Sequence, residues 1–136
     1  MEDIKARYGI VGYGSAGCFA AKTIRENDKT GEIVVFSEHD SSPYNPMLTT
    51  YYVSGKIPFE AQFPFGSMEK IKEELSLCVH TGVAVKRVLG KEKIIELSDG
   101  SQHKFDKILI STGARAVVPQ IPGLDKEDAF YMRTLE

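Results

Sequence analysis

The chain has 136 residues, close to the roughly 100–150 of a common single domain. It is 42% hydrophobic and 26% charged, with 12 Gly and 6 Pro, which excludes collagen, a coiled coil and a disordered tail. Its 17 Lys and Arg against 19 Asp and Glu leave a formal charge of −2, so it offers no basic field to hold a phosphate backbone, and nucleic acid is not an expected partner. No apolar run approaches the roughly 20 residues of a membrane span, and Met1-Glu2-Asp3-Ile4-Lys5 has no signal-peptide pattern. The expectation is a cytoplasmic protein with no membrane partner.

The first element is an uninterrupted apolar run, Tyr8-Gly9-Ile10-Val11-Gly12, as expected of a parallel strand covered on both faces. From Ala16 the positions Ala16, Phe19, Ala20, Thr23 and Ile24 recur at helical spacing, an amphipathic helix of about three turns. After a turn at Lys29-Thr30-Gly31, the segment Glu32-Ile33-Val34-Val35-Phe36 is a second strand, completing a right-handed βαβ unit. Residues 38–66, with four prolines, read as irregular, and so long a loop in a small domain is more often functional than idle. Tyr51 and Tyr52 within it read as core aromatics. Ser67 caps a short polar helix over 68–75. Segments 83–88, 93–97 and 102–105, with Asp99-Gly100 as a hairpin signal, form an antiparallel three-stranded meander. Lys107-Ile108-Leu109-Ile110-Ser111 is another buried parallel strand, ending at Thr112-Gly113, and a loop with Pro119, Pro122 and Gly123 follows.

Gly12-Tyr13-Gly14-Ser15-Ala16-Gly17 places a G-x-G-x-x-G where the first strand meets the first helix. In such a turn the first glycine permits the tight bend, the second lets the backbone approach a pyrophosphate, and the third lets helix and strand pack closely. The N–H groups around Ser15 and Ala16 then face the diphosphate at the positive end of the helix dipole. Glu38 falls 21 residues after Gly17, just past the second strand, where an acid accepts hydrogen bonds from ribose hydroxyls and repels a 2′-phosphate. The ligand of this motif is therefore FAD or NAD.

Cys18 and Cys78 have no paired spacing and read as reduced, buried thiols. His39, His80 and His103 lack metal-ligand spacing, so no metal site is expected. Asp125-Lys126-Glu127-Asp128 reads as a solvated turn, and no catalytic residue stands out.

The glycine turn, Glu38, Pro43-Tyr44, Ser98-Asp99-Gly100, Phe105 through Ala114, Ile121-Pro122-Gly123 and Met132 through Glu136 together resemble the FAD-dependent pyridine nucleotide-disulfide oxidoreductases. The likeness runs over essentially the whole chain and is greatest to the NADH oxidase, coenzyme A-disulfide reductase and ferredoxin reductase-like branches. It implies a Rossmann-like α/β fold, favours FAD over NAD at this site and makes NAD(P)H the co-substrate of the parent protein. It implies that Ala16 and its neighbours meet the FAD diphosphate, Glu38 the ribose, the backbone at Val85 the adenine and Thr112-Gly113 the stretch near the diphosphate. It also implies that Arg133 lies against FAD. Met47 stands about where several relatives carry a redox cysteine, and a thioether cannot form the attacking thiolate. The family's FAD domain is interrupted by an NAD(P)H domain, so residues 1–136 are expected to be its amino-terminal part, inactive alone. The apolar face left uncovered should favour a homo-oligomer. The acceptor is a small molecule or a redox protein. The alternative is a non-catalytic module that binds NAD or an adenine nucleotide.

Overall fold

The computed structural model describes residues 7–123, 132, 134 and 135. Strand β1 (Arg7–Val11) leads through the glycine turn into helix α1 (Ser15–Asn27) and on to β2 (Glu32–Phe36). The two strands run parallel, Tyr8 opposite Ile33 and Val11 opposite Phe36. Asp28 closes the helix: its carboxylate accepts from the N–H groups of Thr30 and Gly31 at 3.0 and 2.8 Å and from the Tyr8 hydroxyl at 3.0 Å. Arg25, in the last turn, donates to the carbonyls of Asp28, Gly31, Leu75 and Ser76. One guanidinium thereby satisfies orphan carbonyls at the ends of two helices.

The face that α1 buries differs from the expected one. Gly17, Cys18 and Ala21 point inward, whereas Phe19 is 56% exposed, its ring edge-on to Phe65. Close approach of the helix to the strand through Gly17 leaves room inside only for small side chains, which rotates the larger ones out.

Residues 38–66 are irregular over 38–45, 54–58 and 63–66 but carry short helical turns between. Two 3-10 turns, Pro46–Leu48 and Phe59–Gln62, flank helix α2 (Thr49–Val53). Asn45 caps the first by accepting from Met47 N–H at 3.0 Å, and its own N–H donates to the Gln62 carbonyl at 2.8 Å. Pro43, Thr49 and Gln62 are buried beneath the segment. Helix α3 (Met68–Leu75) is capped by the Ser67 hydroxyl, as expected, and ends at Ser76 in the left-handed region. That bend turns the chain directly into β3 (Leu77–His80), a strand the sequence pattern did not reveal.

The meander is formed by β4 (Val85–Leu89), β5 (Ile94–Leu97) and β6 (Gln102–Lys104), after which β7 (Lys107–Ile110) returns to the main sheet. The parallel sheet has the order β3-β2-β1-β7, and the antiparallel sheet the order β4-β5-β6. Strand side chains alternate between two cores. Ile10, Ile33 and Val35 pack with Cys18, Ala21 and Ile71 on the helix side. Val11, Val34 and Phe36 pack with Ile95, Leu97 and Phe105 of the meander on the other. Helices, parallel sheet and meander are thus three layers of one α/β fold. Strand β7 is parallel as expected but is not buried: Leu109 and Ile110 are exposed, because among the described residues nothing pairs with its outer edge.

Candidate functional site

The glycine turn lies at the carboxyl ends of the parallel strands, where open α/β sheets bind ligands. Gly12 has φ +99°, and a Cβ there would run into the Ser111 carbonyl. A Cβ at Gly17 would strike the Gly12 carbonyl. Both glycines are therefore required by the protein's own packing. Gly14 is different. It is exposed, its backbone is extended at φ −84°, and a Cβ would have no neighbour within 4 Å. The space in front of it is open, at the N-cap of a helix with no side-chain cap and no acid in its first turn. First-turn N–H groups lack intrahelical acceptors, so Gly14, Ser15 and Ala16 present a donor-rich, electropositive shelf suited to a diphosphate. The residues present thus fit the group the motif implies.

Neighbouring strands fix this shelf. The Gly12 N–H donates to the Phe36 carbonyl at 2.8 Å, tying the turn to β2. Ser111 ties it to the end of β7: its N–H donates to the Val11 carbonyl at 2.7 Å, and its hydroxyl lies 3.0 Å from the carbonyl oxygens of both Val11 and Gly12. Ser111 is a positioning residue that motif reading alone did not single out. Its signal was present in the place of Ser111 immediately before Thr112-Gly113.

Glu38 is exposed beyond β2. Ser37, buried just before it, donates its N–H to the His80 carbonyl, accepts the Val83 N–H on its own carbonyl and donates its hydroxyl to the His39 carbonyl at 2.7 Å. The backbone carrying Glu38 is therefore fixed. Arg115, from the loop after β7, donates through Nη2 to Glu38 Oε2 at 3.1 Å. The two are 77 residues apart, and no motif links them in sequence.

Thr112 and Gly113 are exposed next to the turn, with Gly113 at φ +68°. Val85 opens β4 opposite Leu97, and its half-buried side chain packs on the meander core. Arg133 and the charge run at 125–128 lie outside the described residues.

Cys18 is buried, and that burial pushes its thiol pKa up. Cys78 is exposed, contrary to expectation. It projects from edge strand β3, opposite in direction to the inward Leu77, with its sulfur 3.5 Å from His80 Nε2. His80 stacks on Phe36 at 5.2 Å, and His103 packs on the same ring. Among the described residues no three His, Cys, Asp or Glu converge as metal ligands. No helix among them is long and apolar enough to cross a membrane. Tyr51 and Tyr52, expected in the core, are exposed. Tyr52 and Phe59 instead line a groove of about 390 Å³ with Thr49 and Met132.

Residues 6–136 match the family model of the pyridine nucleotide-disulphide oxidoreductases. The chain belongs to that family. Within it, the chain is 32% identical over 134 residues to the NADH-dependent phenylglyoxylate dehydrogenase subunit epsilon of Aromatoleum evansii, covering 96% of this chain and 30% of the relative. It is 30% identical over 131 residues to the ferredoxin–NAD(+) reductase component of the 3-phenylpropionate/cinnamic acid dioxygenase of Photorhabdus laumondii, covering 93% of this chain and 32% of the relative. The fold is that of a NAD-dependent persulfide reductase from A. fulgidus, with a TM-score of 0.87 at 22% identity over 95% of this chain and 25% of that one. The chain thus spans about a third of the length of the curated relatives it matches.

Proposed function

We propose that the chain is the amino-terminal part of the FAD domain of an oxidoreductase that takes hydride from NAD(P)H and passes electrons to an acceptor. The observation that carries this reading is the open, uncapped shelf at Gly14, set between the Glu38 side of the sheet and Thr112-Gly113. Gly14, Ser15 and Ala16 bind the diphosphate through backbone N–H groups, while Gly12 and Gly17 shape the turn. Glu38 accepts from the adenosine ribose, and the backbone at Val85 faces the adenine. Thr112 and Gly113 close the diphosphate side, and Arg133 contacts FAD from the carboxyl-terminal segment. FAD, when bound, supplies acceptance of a hydride and its release as electrons.

The acceptor reading follows from the thiols. Cys18 is sealed in the core, Cys78 is on β3 at the sheet edge, and Met47 occupies the segment after Pro43-Tyr44. A thioether at Met47 cannot form the attacking thiolate, which disfavours disulfide exchange through a cysteine of this segment. A redox protein or a small molecule reduced directly from the flavin fits better, and a relative named as a ferredoxin–NAD(+) reductase component supports that class. The NAD(P)H such an enzyme consumes is an intracellular metabolite, which supports a cytoplasmic location. The names of the relatives denote oxidoreductases, so a non-catalytic nucleotide module has the weaker support.

Gly14→Val tests the assignment. A Cβ there meets no protein atom within 4 Å, while a valine side chain would stand in the proposed diphosphate path. The parent protein should lose FAD affinity at least about 100-fold, about 2.7 kcal/mol, while its stability without FAD falls by no more than the roughly 1 kcal/mol of a poorer N-cap. Unchanged FAD affinity would overturn the reading.

A further inference from the structure

Cys78 and His80 project to the same side of β3, because side chains two apart on a strand share a face. The register fixes which side. Cys78 lies opposite Val34 and His80 opposite Phe36, and both of those partners pack into the meander-side core. Leu77 and Val79 point the other way and pack on the helix-side core. Strand β3 is the outermost strand of the parallel sheet among the described residues, and there Cys78 is exposed. Its neighbour is held in place. The His80 ring stacks on buried Phe36 at 5.2 Å with 13° between the planes, and the His103 ring lies 6.0 Å from it. That stack sets the imidazole edge-on to the thiol, with Nε2 3.5 Å from Cys78 Sγ.

The pairing decides what the thiol can do. The nucleophile of cysteine chemistry is the thiolate, and a base within hydrogen-bond reach of the thiol supplies it. We propose that Cys78 and His80 form a reactive thiol pair, a modification site for low-molecular-weight disulfides. His80 Nε2 takes the proton of the Cys78 thiol. The sulfur then attacks one sulfur of a disulfide R–S–S–R, so that a bond from Cys78 Sγ to that sulfur forms as the R–S–S–R bond breaks. The departing RS⁻ takes the proton back from the imidazolium and leaves as RSH. Cys78 is oxidised to a mixed disulfide and the other half of the reagent is reduced to a thiol, so no further oxidant enters. Cys18, 2% exposed in the helix-side core, is closed to the same reagent. The exchange draws on no nucleotide and stands apart from the FAD reading.

The probe is glutathione disulfide, added to the reduced chain, with adduct formation followed by intact mass and located by peptide mapping. One adduct per folded chain should form, on Cys78, and Cys78→Ser should take none. A synthetic peptide of residues 74–83 carries the same thiol fully accessible but without the Phe36 stack that holds His80. The folded chain should react about tenfold faster than that peptide, the scale of one hydrogen bond to a charged group. His80→Phe keeps an aromatic ring on Phe36 and removes the base, so it should fall to the rate of the peptide while its urea midpoint stays close to that of wild type. Wild type reacting no faster than the peptide overturns the proposal, and that comparison holds whether or not the variant folds. Folded His80→Phe reacting at the wild-type rate, or an adduct on Cys18 in the folded chain, overturns it as well.

Discussion

A side chain at Gly17 would drive into the Gly12 carbonyl, whereas one at Gly14 would meet only open space, so two glycines of one motif answer to different demands. The first is folding and the second, in the proposed reading, is access for a diphosphate. Elsewhere, single residues also do structural work at defined atoms. Asp28 accepts from the Gly31 and Thr30 N–H groups and from the Tyr8 hydroxyl, and these bonds hold its carboxyl down from its ordinary 3.8 to about 2. The same contact raises the Tyr8 pKa. A carboxyl depressed in the folded state contributes stability above its unfolded pKa and loses it as the pH falls through the folded one. Asp28 should therefore stabilise the chain fully above about pH 4 and progressively less down to about pH 2. Urea midpoints of wild type and Asp28→Ala, measured from pH 5 to pH 2, should converge toward the acid end. Curves that stay parallel through that window would show that the native carboxyl is not depressed.

Among the strands, β7 leaves apolar side chains exposed, at Leu109 and Ile110. Among the described residues it pairs with β1 on one side only, Ile110 is 60% exposed, and a groove of about 360 Å³ runs between β7 and α1, lined by Tyr8, Thr23, Ile24, Lys107 and Leu109. An open apolar edge strand is a template for pairing with another chain. The 136-residue chain should self-associate at tens of micromolar, the range in which exposed apolar edges drive association, and Ile110→Lys should shift it toward monomer in sedimentation velocity. Equal association of the variant would place the contact elsewhere. The same strand shows where pattern reading stops. The apolar run 107–111 identified a parallel strand, but nothing local distinguishes a central strand from an edge one. For β3, only four residues intervene before a loop, and Ser76 makes the left-handed bend usually left to glycine, so the usual punctuation is missing. In α1 the helical period was legible, but not the rotation that Gly17 imposes by its contact with Gly12.

At the scale of the whole molecule, the β1–α1–β2 unit and the meander were legible because their signals are local: a glycine turn between apolar runs, and a hairpin dipeptide between alternating strands. The parts of the site assembled from distant segments were not. Ser111 and Arg115 reach the glycine turn and Glu38 from about 100 and 77 residues away, and only the sheet order β2-β1-β7 brings them together. That convergence gives the carboxyl edge of the sheet the fixed turn and the acid that the proposed dinucleotide reading requires. The central claim is that this edge receives FAD. It is tested most directly by calorimetric titration of the chain with FAD, NADH and ADP under one buffer condition. Binding of FAD tighter than ADP, and tighter than NADH, is the predicted result. Tighter binding of NADH than FAD would contradict the account.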